Sequence, residues 1–273
     1  MSVPDGDGRV TRDARDDAGG ETVDAAFEAG VALFNAGHVL AARDRWEAAR
    51  SAVADGPAAD GSDAGEVDDV GGAVDGSDAG EVRVLRGLAA AATAADRAGD
   101  GDRSAHMRDA ERSDAAEQGA RALTLLEGTG EAYRGLALEP VREWCRRLAA
   151  AGDTAGSDPG PVDATPDPFA PSDADPPTLR IDGVAVGFEE LGLAATLAAA
   201  PALAAAVDAG EEPTLAAAAR LAREERGTGR TQVTELVFAY LRRPEARPQI
   251  AARIADHVDR DRRERRDVSG LFE

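Results

Sequence analysis

The chain contains no lysine, one cysteine and one asparagine, and aromatic residues make up only 4% of it. Each shortage closes a route. Without lysine no Gly-Lys-Ser/Thr phosphate loop exists, and every basic side chain is an arginine. Cys145 stands alone, which excludes an intrachain disulfide. The apolar fraction is 43%, but much of it is alanine. A core of Ala, Leu and Val removes less apolar area from water per residue, at about 25 cal/mol per Å². No run of about 18 apolar residues occurs, so the sequence predicts no membrane-spanning helix. The opening MSVPDGDGRVTRDARDDAGGE lacks the apolar stretch of a secretory signal, and the expected location is the cytoplasm. His38, His106 and His257 are far apart, and the carboxylates are too scattered for a triad or a zinc site. The sequence therefore predicts no metal site and no cofactor.

What is present in excess is negative charge. Asp and Glu number 52 against 31 basic residues, a formal net charge of −21 over 273 residues. Such charge destabilises a compact chain by self-repulsion. Molar salt shortens the screening length to about 3 Å and strengthens apolar burial. The acidic, lysine-free, aromatic-poor style resembles the proteins of extreme halophiles with a salt-filled cytoplasm. A GC-rich genome alone accounts for arginine replacing lysine but not for the charge. The same charge disfavours nucleic acid as a partner.

Along the chain, residues 1–21 read as a disordered acidic tail. Phe27, Val31 and Phe34 then share a helical face, with Asp24 a candidate N-cap and Gly37 a stop. Val39, Ala42, Trp46, Ala49 and Val53 form the stripe of a second helix. Residues 54–80 read as a solvated insertion, in which GSDAGEV occurs at 61–67 and again at 76–82. Helices are expected from about Val82 to Gly99, Arg103 to Glu127 and Glu139 to Ala150, the last carrying Trp144. Residues 152–178 hold seven prolines among Asp, Gly and Ser and read as a linker between two domains, 22–151 and 179–273.

After it, Leu179 and Ile181 alternate, Asp182-Gly183 is a favoured hairpin turn, and Val184 and Val186 alternate again. Helices are expected at 189–199, 201–209, 214–226, 231–242 and 248–266, with Thr214 and Thr231 as N-caps. The predicted fold class is mainly α: a helical bundle, then a small helical domain with one β-hairpin.

Leu33-Phe34-Asn35 with Gly37, then Ala42, Trp46 and Glu47, then Arg86-Gly87-Leu88, follow one another at spacings that resemble the domain-of-unknown-function 309 family. The resemblance covers about residues 22–150 and implies a small all-helical cytoplasmic domain of unassigned activity. The family pattern has His and Glu where this chain has Arg43 and Asp44. An arginine offers no lone pair, so the metal-binding face that a His and a Glu would form is in doubt here.

Arg43, Asp44, Glu47 and Arg50 fall along one helical face and could recognise a small charged ligand or fix packing as an ion-pair network. Packing is the favoured reading; Arg86 on the third helix could point at Glu47 and complete a buried network, or equally lie exposed to solvent. Asn35 is expected to brace the turn between the first two helices, and Trp46 and Trp144 to anchor the core. The candidate ligand or packing face is thus Asn35, Arg43, Asp44, Trp46, Glu47 and Arg86, with no catalytic set. Gly227-Thr-Gly229-Arg230-Thr231 before a helix is a weak anion loop, read as a plain helix start.

The leading expectation is a non-enzymatic interaction or small-ligand-binding module adapted to high salt, with a protein partner or a second copy as the other occupant. The alternatives are an enzyme using Asp44 and Glu47, and a nucleic-acid-associated regulator using the arginine-rich C-terminal helices. In those helices Asp256, Asp259, Asp261 and Glu264 interleave with the arginines, the pattern of a salt-bridged solvated face.

Overall fold

Thr22 starts the first helix, accepting a hydrogen bond from the Ala25 N–H with its hydroxyl (3.2 Å). Asp24, the expected cap, sits instead in the first turn. This is a computed structural model and describes residues 22–54, 76–99, 105–154, 175–225 and 231–269. The tail 1–21, most of the expected insertion and linker, and the 226–230 loop lie outside the described residues.

The fold is mainly α. Helix α1 (Val23–Asn35) ends where expected: Gly37 takes φ +83°, and the N–H groups of Gly37 and His38 return to the carbonyls of Phe34 and Leu33. That Schellman closure suits glycine because its backbone is left-handed. Helices α2 (Val39–Ala54), α3 (Gly76–Gly99), α4 (Ala105–Leu126) and α5 (Glu139–Thr154) then pack each on the next. Helix α3 begins at Gly76, so the second GSDAGEV copy is its opening rather than insertion. Excising 54–80 would remove that start.

Between α4 and α5 lies a hairpin the sequence reading missed, β1 (Ala132–Tyr133) and β2 (Leu136–Ala137). Its turn residues Arg134 and Gly135 have φ of 48° and 80°. The expected hairpin, β3 (Arg180–Ile181) and β4 (Val184–Ala185), turns in the same way at Asp182 and Gly183, φ 50° and 81°. Positive φ at both central residues is the type I′ signature. The two hairpins join into one antiparallel sheet, order β1-β2-β3-β4, with Leu136 opposite Ile181.

The C-terminal helices are α6 (Leu193–Ala206), α7 (Glu212–Glu224), α8 (Gln232–Arg242) and α9 (Arg247–Ser269). Two helices broken at Pro201 were expected, yet Pro201 lies inside α6. A proline there forfeits a hydrogen bond, at about 3 kcal/mol. Helix α6 is apolar all round and buried from Ala195 to Ala204 against α1, α2, α7 and α8, which outweighs that cost. Thr214 is not a cap either: Glu211 precedes α7, and the Thr214 N–H donates to its carbonyl. Thr231 does cap α8, accepting from the Thr234 N–H.

Helix α1 is the centre. It packs on α2 with one side and on α6 with another, which explains why residues from Ala25 to Phe34 are nearly all buried. One apolar cluster runs from Phe27 and Trp144 to Leu203 and Ile254. The proline-rich stretch divides the sequence, but the sheet and this cluster continue across it.

Candidate functional site

Three helices build a cleft of about 650 Å³ on the N-terminal bundle. Helix α3 is the floor: Arg86, Ala89, Ala90 and Thr93 recur at the spacing of one helical face. Alanines in the middle of that face leave the space open. Helix α2 supplies one wall with Arg43, Glu47 and Arg50, and α4 the other with Gln118, Arg121, Thr124 and Leu125. Among the described residues four guanidinium groups and one carboxylate line it, in a chain whose net charge is −21.

The ion pairs are unlike those expected. Arg43 turns to its neighbour Asp44, with Nε and Nη2 at 3.0 and 2.8 Å from Oδ1. Glu47 is held by Arg50 at 2.7 Å and keeps 44% of its side chain exposed. No Arg43–Glu47–Arg86 seal forms, because Arg43 is spent on Asp44 and Arg86 has no acceptor among the described residues. Arg121 likewise has none. Glu47 therefore borders an open concavity. Glu47→Gln should change the unfolding free energy by less than about 1 kcal/mol, as for a solvated pair. A denaturant melt showing a loss of 3 kcal/mol or more would restore the buried counter-ion reading.

The remaining face residues are dispersed. Asp44 points into a second cavity of about 520 Å³, with His38, Leu40, Asp96 and Glu212. Burial, and then the positive charge of Arg247, lowers the His38 pKa and favours the neutral imidazole. Because Glu47 lines one cavity and Asp44 the other, the two carboxylates do not converge on a common substrate position. Trp46 is fully buried; its indole lies 5.7 Å from the Phe34 ring and across Gly30. A Cβ on Gly30 would fall 2.4 Å from Trp46 Nε1.

Asn35 does not brace its own turn. Its amide nitrogen donates to the carbonyls of Leu179 (2.9 Å) and Val186 (2.8 Å), and its oxygen accepts from the Leu179 N–H (2.7 Å). It fastens the β3–β4 hairpin to the end of α1.

Sequence reasoning missed Arg121 and the cleft residues of α4, a helix with no clear apolar stripe. It also missed arginines that serve backbone carbonyls. Arg142 donates to the carbonyls of Leu126, Thr129 and Gly130 and to the Thr129 hydroxyl, at 2.6–3.1 Å. Buried Arg247 donates to the carbonyls of Tyr240 and Leu241 at the end of α8. Arg134, at the β1–β2 turn, pairs with Asp24 and Glu81 and lies over the Tyr133 ring.

Elsewhere little points to chemistry. Burial pushes the Cys145 thiol up to about 12, so it stays protonated. Among the described residues no three His, Cys, Asp or Glu side chains gather as a metal-binding group. On α9, Arg262 pairs with Asp259, and Arg265 with Asp261 and Glu224. No described helix is long and apolar enough to cross a membrane. No family model, curated protein or solved structure matches this chain.

Proposed function

We propose that the protein is a non-enzymatic module that binds a small anion in the cleft of α2, α3 and α4. The observation that carries this reading is the inversion of charge. In a strongly acidic chain, one concavity gathers Arg43, Arg50, Arg86 and Arg121, and the last two lack an acceptor among the described residues. A guanidinium is a fixed cation with a planar fork of donors that suits oxyanions. A cleft of about 650 Å³ falls within the size of small-molecule sites, and the separation of Asp44 from Glu47 speaks for binding rather than acid–base turnover.

The test is calorimetric titration with inorganic phosphate, benzoate and phenyl phosphate, repeated on an Arg86→Gln/Arg121→Gln double variant. Binding of at least one anion, weakened tenfold or more in the variant, is the expected result. No binding by any of the three, or equal binding in both proteins, would sink the reading.

We further propose that the molecule works in a salt-rich cytoplasm. Its support is the charge of −21 and the alanine-rich core. Melting temperature should rise steadily from 0.1 to 3 M KCl as repulsion is screened. A flat or falling series would remove this part of the proposal. Assignment of residues 22–150 to the domain-of-unknown-function 309 family is also a proposal. Its support is that the Phe34 and Trp46 rings meet at a tilt of 39°, Gly37 closes α1, and Gly87 sits where a Cβ would strike Leu126. A solved member in which the corresponding residues do not meet would withdraw that support.

A further inference from the structure

Resting on that anion-binding reading, we infer that the ligand is an organic phosphate monoester whose apolar part lies on the floor of the α2–α3–α4 cleft. Two features of the cleft fix the class. The first is charge. Arg43 and Arg50 are each neutralised by a carboxylate of their own helix, which leaves the charges of Arg86 and Arg121 to be balanced. A monoester phosphate brings nearly two negative charges in one group, and its three terminal oxygens can take forks from two guanidiniums together. A lone carboxylate brings one charge and one edge.

The second feature is the floor. Ala89, Ala90 and Leu125 present apolar surface between the arginine-bearing walls. Ala89 and Ala90 are themselves buried, at 4% and 9% exposure, so the apolar surface that a bound body would take out of water is chiefly that of half-buried Leu125. The hydroxyls of Thr93 and Thr124 already donate to the carbonyls of Ala89 and Ala120. Among the described cleft residues, side-chain donors for the ligand come from the arginines and from Gln118. Such a surface suits an oxyanion carrying a hydrocarbon or aromatic body better than a polyhydroxylated one. Inorganic phosphate would satisfy the walls and leave the floor wet.

The experiment is titration of the full chain in 2 M KCl with phenyl phosphate, inorganic phosphate and benzoate, followed by calorimetry and by ³¹P NMR. Phenyl phosphate should bind roughly tenfold tighter than inorganic phosphate, since partial burial of a ring contributes about that factor, and tighter than benzoate, which brings the same ring but a single charge. Its affinity should fall as pH drops through about 6, where the monoester loses its second charge. Among the described residues Glu47 is the only carboxylate lining the cleft, and no histidine lines it. Ala90→Leu should fill the floor and abolish the advantage of phenyl phosphate over inorganic phosphate while both still bind. Arg86→Gln and Arg121→Gln are exposed changes and should each weaken both phosphates with the melting temperature intact. Equal affinity for phenyl and inorganic phosphate, or benzoate as the tightest ligand, would overturn the monoester assignment and leave an anion site standing. A pH-independent affinity between 5 and 7.5 would also overturn it. Failure of all three probes to bind would remove the anion site itself.

Discussion

Trp46→Ala should lower the unfolding free energy by about 3–5 kcal/mol, the range for a large aromatic removed from a core. Trp46 is fully buried between α1 and the bundle, with Phe34 beside it and the Gly30 backbone beneath it. The cavity cannot close by a simple slide, because α1 is also held by α6 on its other side. Its indole nitrogen is buried without a hydrogen-bond partner among the described residues. Trp46→Phe should therefore forfeit ring volume but no hydrogen bond, and cost clearly less. Denaturant melts at one salt concentration decide the matter: the midpoint should fall with the slope unchanged. A loss under about 1 kcal/mol for the alanine variant would show that the ring is not a packing element.

Arg142→Met should cost about 2–4 kcal/mol, because net hydrogen bonds to a charged group are worth more than neutral ones. The guanidinium closes the end of α4 by reaching Leu126 and then Thr129 and Gly130, with only 12% of the side chain exposed. Methionine keeps the stem's packing and leaves the Thr129 and Gly130 carbonyls without this donor, while the Leu126 carbonyl keeps the Thr129 hydroxyl at 2.7 Å. Arg142→Lys should recover only part of the loss, since an ammonium cannot span the same acceptors with a planar fork. Matching melts for the methionine variant and the parent would show that water serves those carbonyls equally well.

The N-terminal helices were legible because their signals are local. Phe27, Val31 and Phe34 mark a face, and Gly37 ends it with a left-handed residue. The Asp182-Gly183 turn was legible for the same reason, whereas Arg134-Gly135 places an unusual residue at a φ of 48° and was overlooked. Pro201 misled, because a local breaker was overruled by burial around all of α6. The cleft was half legible: the spacing of Arg43, Glu47 and Arg50 is visible in the sequence, but Arg121 joins them only through the packing of α4 on α3. Which acid each arginine would choose was not readable. Short-range geometry gave Arg43 to Asp44 rather than to Glu47 one turn away. Asn35 shows the limit most plainly, since its partners lie 144 and 151 residues further along.

That separation has a consequence during synthesis. At about 5–20 residues per second, Asn35 is made roughly 7 to 30 seconds before Leu179 and Val186. Strand β2 waits similarly for Ile181, and the α6-facing side of α1 waits for α6. The nascent bundle is thus an unfinished object whose central helix carries an uncovered apolar flank until translation is well into its last third. The late-made hairpin acts as a latch that closes the early-made half. A chain halted before Leu179 should expose that flank and bind nascent-chain chaperones, while one released after α6 should not.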